Sequence, residues 1–159
     1  MTNFWILTVV SSLCVVTAQA NRCPPTDDDR WKEFRDSCYF FSERSTTWRS
    51  AKESCSENGS HLVDILSWEE NEWIHQRLNS YRYYEDYYIG ATDQQHEGLF
   101  IWTNSGDALE YGNWNDGEPN QHLGTPENCA EIDTRSGRWN DIPCDIVMRF
   151  ICKRPITRK

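Results

Sequence analysis

Seven cysteines fall in this chain of 159 residues, and which of them persist in the mature protein constrains its fold more than any other feature. Met1 to Ala20 carries no charged side chain, and Phe4 to Val16 is a short apolar run. Ala18-Gln19-Ala20 then supplies the small-x-small pattern of a signal peptidase site. The run is shorter than the ~20 residues that span a bilayer. The expectation is a cleaved signal peptide over residues 1–20, Asn21 as the first mature residue, and a secreted, extracellular protein. The competing reading is a buried N-terminal strand or helix.

Cleavage removes Cys14 and leaves six: Cys23, Cys38, Cys55, Cys129, Cys144 and Cys152. An even count in an exported chain reads as a disulfide framework. No CxxC occurs, so a zinc ribbon or thioredoxin-like centre has no support. Spacing alone does not choose among the connectivities, and with no cysteine left over a covalent dimer is not suggested.

The remaining residues fit one domain over 21–159. Hydrophobic residues are 38% and charged residues 26%, an ordinary globular balance. The net charge of -9 repels phosphate backbones, which argues against nucleic acid and for hard cations. No further segment is long and apolar enough for membrane insertion.

Ser37 to Phe41 has strand composition, and Trp48, Ala51 and Cys55 recur at helical spacing before an Asn58-Gly59 stop. His61 to Ile65 reads as a short strand, and Ser67 to Glu70 as a capping box opening a second helix with Trp73, Ile74 and Leu78 inward. Short strands are expected at Tyr87–Thr92, Phe100–Trp102, Cys129–Ile132, Gly137–Asn140 and Phe150–Lys153. Between them Ser105 to Pro126 forms a 22-residue loop rich in Gly, Asn, Asp and Pro. Loops that long in a compact domain usually serve function. Residues 81–145 also hold 13 Asp or Glu against 3 Arg and no Lys.

These residues form a set. Cys23 precedes Trp31, and Ser37-Cys38-Tyr39, Thr47-Trp48 with Ala51 and Cys55, and Gly59 to Val63 follow. Tyr88-Ile89-Gly90, Trp102-Thr103, Asn113-Trp114, Glu118-Pro119-Asn120 and Glu127-Asn128-Cys129 continue it, and Trp139-Asn140-Asp141 and Phe150-Ile151-Cys152 complete it. In this order the chain resembles a C-type lectin-like domain across nearly all of residues 23–152. The resemblance implies an α+β fold, with two helices flanking small antiparallel sheets and a long loop doubled back on the upper sheet. It also implies the pairing Cys23–Cys38, Cys55–Cys152 and Cys129–Cys144, each bridge contributing on the order of 2–4 kcal/mol.

The loop chemistry can be argued from donor types. Calcium takes 6–8 oxygen ligands from carboxylates, amide carbonyls and water. Glu118, Asn120, Glu127, Asn140 and Asp141 offer three carboxylates and two amides in two short clusters. The resemblance implies a cis Glu118–Pro119 bond and assigns these five residues to a calcium ion that two adjacent sugar hydroxyls share. Glu118 and Asn120 would serve one hydroxyl, Glu127 and Asn140 the other. Glu-Pro-Asn resembles the mannose-type pattern, favouring the hydroxyl arrangement of mannose, N-acetylglucosamine and fucose; the galactose-type Gln-Pro-Asp is absent. A second calcium site is implied at Asp93, Glu97, Glu127 and Asn128. It would be weaker, because Gln121 and Asn128 stand where acids are frequent.

The expected function is calcium-dependent binding of mannose-type glycans on cell or microbial surfaces, in innate immunity. The alternative is a protein-binding module of the same fold. An enzyme using Glu118 and Glu127 is disfavoured, since carboxylates committed to calcium are held ionised and cannot act as general acids. One shallow sugar site is weak, so avidity would call for non-covalent self-association or clustered glycans. Asn58-Gly59-Ser60 is an N-glycosylation sequon, with Asn58 the acceptor. The Tyr81–Tyr88 tract is read mainly as packing, Trp114 and Trp139 as supports beneath the loop, and His61, His75, His96 and His122 as surface or loop residues.

Overall fold

A computed structural model describes residue 23 and residues 31–81, 85–121 and 124–156. The expected signal peptide, the boundary at Asn21, the middle of the tyrosine tract and His122 lie outside the described residues. The elements run β1 Trp31–Phe34, β2 Ser37–Phe41, α1 Trp48–Glu57, β3 His61–Leu62, α2 Trp68–Ser80 and β4 Tyr87–Thr92. They continue through β5 Ile101–Trp102, β6 Cys129–Ile132, β7 Trp139–Ile142 and β8 Arg149–Pro155. The chain is thus α+β, with both helices as their periodicity predicts. Among the described residues no helix is long and apolar enough to cross a membrane.

One path of pairing joins the strands in the order β1-β2-β8-β4-β6-β7, with β3 also on β8 and β5 on β4. The sheet is mixed, where small antiparallel sheets are the expectation: β4 lies parallel to β8, Tyr87 opposite Arg149 and Tyr88 opposite Phe150. Strand β4 is buried along its whole length, as expected of a central strand. The expected strand at His61–Ile65 is shorter. It pairs with β8 at His61 and Leu62; Val63 N then donates to the Ile151 carbonyl at 2.9 Å, while the Val63 carbonyl accepts from Gly90 N at 2.8 Å. A Cβ on Gly90 would stand 2.7 Å from the Leu62 carbonyl oxygen, so this close crossing of backbones needs glycine.

Disulfides join Cys23–Cys38, Cys55–Cys152 and Cys129–Cys144, the pairing the resemblance implies. The second ties α1 to β8, and the third ties β6 to the segment after β7. Ser67 caps α2, its hydroxyl accepting from Glu70 N at 3.3 Å. The return half of the expected capping box is diverted. Glu70 Oε2 accepts from Leu66 N at 3.0 Å, and Oε1 takes Tyr39 Oη at 2.6 Å and Lys153 Nζ at 2.7 Å. Buried Glu70 therefore locks α2 to β2 and β8.

The main core gathers Tyr39, Phe41, Ile74, Leu78, Tyr87, Ile89, Trp102, Trp139 and Ile151. Trp139 is fully buried at its centre. Trp102, Tyr111 and Trp114 meet it edge-on at 5.6, 5.6 and 5.7 Å, and its indole N–H donates to Asn71 Oδ1 at 2.7 Å. Such edge-on pairs fix ring positions more tightly than aliphatic contact does. In the tyrosine tract, Tyr87 and Tyr88 are buried in β4 and Tyr81 packs on Phe41 at 5.8 Å, so the described part is packing. His61 is half-buried rather than a free surface residue, and meets Asp64 at 3.3 Å.

Candidate functional site

The long loop is held to β7 by backbone pairing. Trp139 N donates to the Asn113 carbonyl and Asn115 N to the Trp139 carbonyl, each at 2.8 Å. Asn113 Nδ2 reaches the Gly137 carbonyl at 2.8 Å, and Arg138 Nη1 the Trp114 carbonyl at 3.2 Å. A turn closed by Glu118 N on the Asn115 carbonyl, with Gly117 at φ 93°, then presents Glu118. The Glu118–Pro119 bond is cis.

Beyond that bond the loop's polar groups meet the end of β7. Asn120 N donates to Asp141 Oδ1 at 2.9 Å, and Asn120 Nδ2 donates to Glu118 Oε2. Glu118, Asn120 and Asp141 thus form one connected group. Burial pushes the Asp141 carboxyl up to about 7, the Asn120 amide opposes this, and the neighbouring Glu118 carboxyl adds to it. Two carboxyls crowded with an amide, one of them buried, suit the donor set of a hard cation, which relieves their repulsion.

Asn140, the next of the five, is half-buried and faces Glu131 across the β6–β7 ladder. Its Nδ2 donates to Glu131 Oε1 at 3.1 Å. Burial raises the Glu131 carboxyl to about 7; Asn140 lowers it, and Asp86, Asp133 and Glu118 repel it further upward. Sequence reasoning passes over Glu131, although a carboxylate inside the otherwise apolar Cys129-Ala130-Glu131-Ile132 is the signal that marks it. Glu127 is half-buried, two residues before the Cys129 bridge. Among the described residues no three His, Cys, Asp or Glu side chains converge tightly enough to hold a metal by themselves, so the amide oxygens must complete any cage.

A second group lies where β4 ends. Asp93 is buried; its Oδ2 accepts from Gly98 N at 2.8 Å, while Oδ1 is buried without a partner. Asn128 Oδ1 is likewise buried and unpartnered. The Asn128 carbonyl accepts from Asp93 N at 3.4 Å, which places the two residues together. Burial raises the Asp93 carboxyl, the Gly98 amide opposes this, and the exposed Glu97 adds repulsion. Two buried acceptor oxygens with nothing to accept from fit a bound cation.

Asn58 is exposed, its Nδ2 on the Ser54 carbonyl at 2.9 Å, at the C-terminus of α1.

Residues 44–154 match the Lectin C-type domain family. C-type lectin domain family 4 member E of Mus musculus is 40% identical over 139 residues, 85% of this chain and 61% of that protein. Perlucin-like protein of Mytilus galloprovincialis is 33% identical over 92% of this chain and 98% of its own. The solved mouse scavenger receptor C-type lectin carbohydrate-recognition domain superposes with a TM-score of 0.75 at 36% identity, covering 86% of this chain and 99% of that domain.

Proposed function

The chain belongs to the C-type lectin domain family, and from that premise we propose that it is a secreted, calcium-dependent, non-enzymatic binder of mannose-type glycans. The observation that carries this reading is the connected Glu118, Asn120 and Asp141 group at the meeting of loop and β7. Bound calcium would supply open valences for the oxygens of two adjacent sugar hydroxyls.

The chain's own residues would do the rest. Glu118 and Glu127 accept the hydroxyl protons, and the amide nitrogens of Asn120 and Asn140 donate to the same hydroxyl oxygens. Acid and amide on each hydroxyl set a direction of donation, and the Glu-Pro-Asn order favours mannose, N-acetylglucosamine and fucose over galactose. Asp141 anchors the Asn120 backbone and completes the cage. Asp93, Glu97, Glu127 and Asn128 would hold a second calcium beneath the loop. The targets are glycans of cell or microbial surfaces, as in innate immunity, with Asn58 as a glycosylation site and weak self-association supplying avidity.

Chromatography on immobilised mannan tests the reading, first in calcium, then in EDTA, with a galactose column alongside. Retention on mannan alone, abolished by EDTA, is the expected result. Passage through both columns in calcium would overturn the sugar reading and leave a protein-binding member of the family.

A further inference from the structure

A hollow of about 490 Å³ opens between the segment entering α2 and the loop that follows β5. It shares no residue with the Glu118–Asp141 group. Its volume falls in the ~300–1,000 Å³ range of small-ligand sites. The hollow is backed by Trp102 and Tyr111, both packed edge-on against Trp139 at 5.6 Å, so its wall is aromatic and fixed.

Two features give it a chemical sense. Asp107 and Glu110 line it, both exposed and neither ion-paired among the described residues. No lysine or arginine lines it. Lys153, behind Asp64, is committed to Asp64 at 2.9 Å and Glu70 at 2.7 Å. Leu66 lines the hollow as well, and Trp68 stands two residues on at the start of α2. These two are 56% and 62% exposed, among the most exposed large apolar side chains of the described residues. An uncovered leucine beside unpaired acids on an aromatic wall, with an exposed tryptophan two residues on, is the composition of an interaction surface rather than of a solvated face.

We propose that this hollow docks a basic, amphipathic segment of a partner protein. A lysine or arginine head sits between Asp107 and Glu110 with its stem along half-buried Tyr111, which buried Trp102 backs, and the segment's apolar residue covers Leu66 and Trp68. An exposed ion pair alone contributes little, but a cation held near an aromatic face and partly shielded from water contributes more. The chain's negative net charge would speed the encounter. This surface is independent of the sugar-binding reading.

The test uses a fluorescein-labelled octapeptide of alternating lysine and leucine, with its glutamate–leucine counterpart, titrated with the purified full-length chain in calcium and in EDTA. Anisotropy should report binding of the lysine peptide alone, equally in both buffers. The Asp107→Asn/Glu110→Gln pair should weaken it about tenfold, and Trp68→Ala, which removes apolar area from the contact, at least ~5-fold. All three side chains are exposed, so the fold should stand, which near-ultraviolet circular dichroism checks. Glu53→Gln/Glu57→Gln removes the same charge from exposed positions on α1 and should leave affinity within about twofold. The proposal is overturned if the lysine peptide does not bind, if the hollow variants bind it as the parent does, if the α1 control loses as much, or if the glutamate peptide binds equally.

Discussion

The backbone amide of Asn120 donates to Asp141 Oδ1 at 2.9 Å across 21 residues. A loop position and a strand position are thereby held in one geometry. Asp141 sits two residues from Trp139, which is clamped by three edge-on aromatic contacts and by Asn71. The core therefore determines where the candidate cage stands.

On the proposed reading, that arrangement would tie calcium to stability. A ligand that binds only the folded chain stabilises it by ~2.7 kcal/mol at a hundred times its Kd, which in a domain of this size raises Tm on the order of 10 °C. Thermal unfolding in saturating calcium against EDTA should show a rise of that order. Asp141→Ala should shrink the rise to what the Asp93 and Asn128 group still contributes, and should abolish retention on mannan. An undiminished rise in the variant would place calcium elsewhere.

Specificity should follow the order of acid and amide. Glu118→Gln with Asn120→Asp keeps one carboxylate and one amide in the connected pair but exchanges their positions. Donation to the shared hydroxyls then reverses, and preference should move from mannose toward galactose by at least ~10-fold, given one or two altered hydrogen bonds to charged groups. Competition of mannan retention by the two free sugars reads this directly, and unchanged mannose selectivity would refute the donor–acceptor argument.

Much of this was legible in the chain. The helices announce themselves because apolar residues recur at helical spacing and Ser67 caps α2. Features set by distant partners were not legible. Trp31 to Phe34 joins the sheet as an edge strand with charged Lys32 and Glu33, which mask any alternation. Strand β7 runs Trp139–Ile142, two residues later than expected, because Gly137 at φ 70° turns the chain before it. The parallel contact of β4 with β8 joins segments about sixty residues apart, which no local pattern encodes. Glu70 looks like half of a capping box until Tyr39 and Lys153 claim its carboxylate. Glu118, Asn120 and Asp141 were readable as donor types; Glu131 was marked only by a carboxylate in an apolar strand, and its partner Asn140 is set by the ladder.

The orphaned oxygens of Asp93 and Asn128 would give the proposed second site its own signature. Asp93→Asn removes the charge while keeping the shape and the acceptor for Gly98 N. Calorimetric titration should then show one calcium fewer per chain. Retention on mannan should persist, because Glu118, Asn120 and Asp141 are untouched. The same stoichiometry in parent and variant would mean that these oxygens hold no ion.

Asp64 links the fold to pH. Burial alone would raise its carboxyl, but hydrogen bonds from His61 and Lys153 and the charge of Lys153 outweigh burial and hold it below the ordinary aspartate value. Lys153 Nζ lies 2.9 Å from Asp64 Oδ1 and also donates to the Asp64 carbonyl at 2.9 Å. A carboxyl whose pKa is lower folded than unfolded adds stability that is fully present above its unfolded value near ~4. That stability drains away as pH falls through the folded value. Asp64→Asn keeps the shape and removes the charge, leaving Lys153 with Glu70. Urea unfolding at pH 7 should find the variant less stable by on the order of 1–3 kcal/mol. The gap should close as the pH is lowered below ~4, because the parent then loses what the variant never had. A gap that stayed constant with pH would show that Asp64 acts through packing and not through its charge.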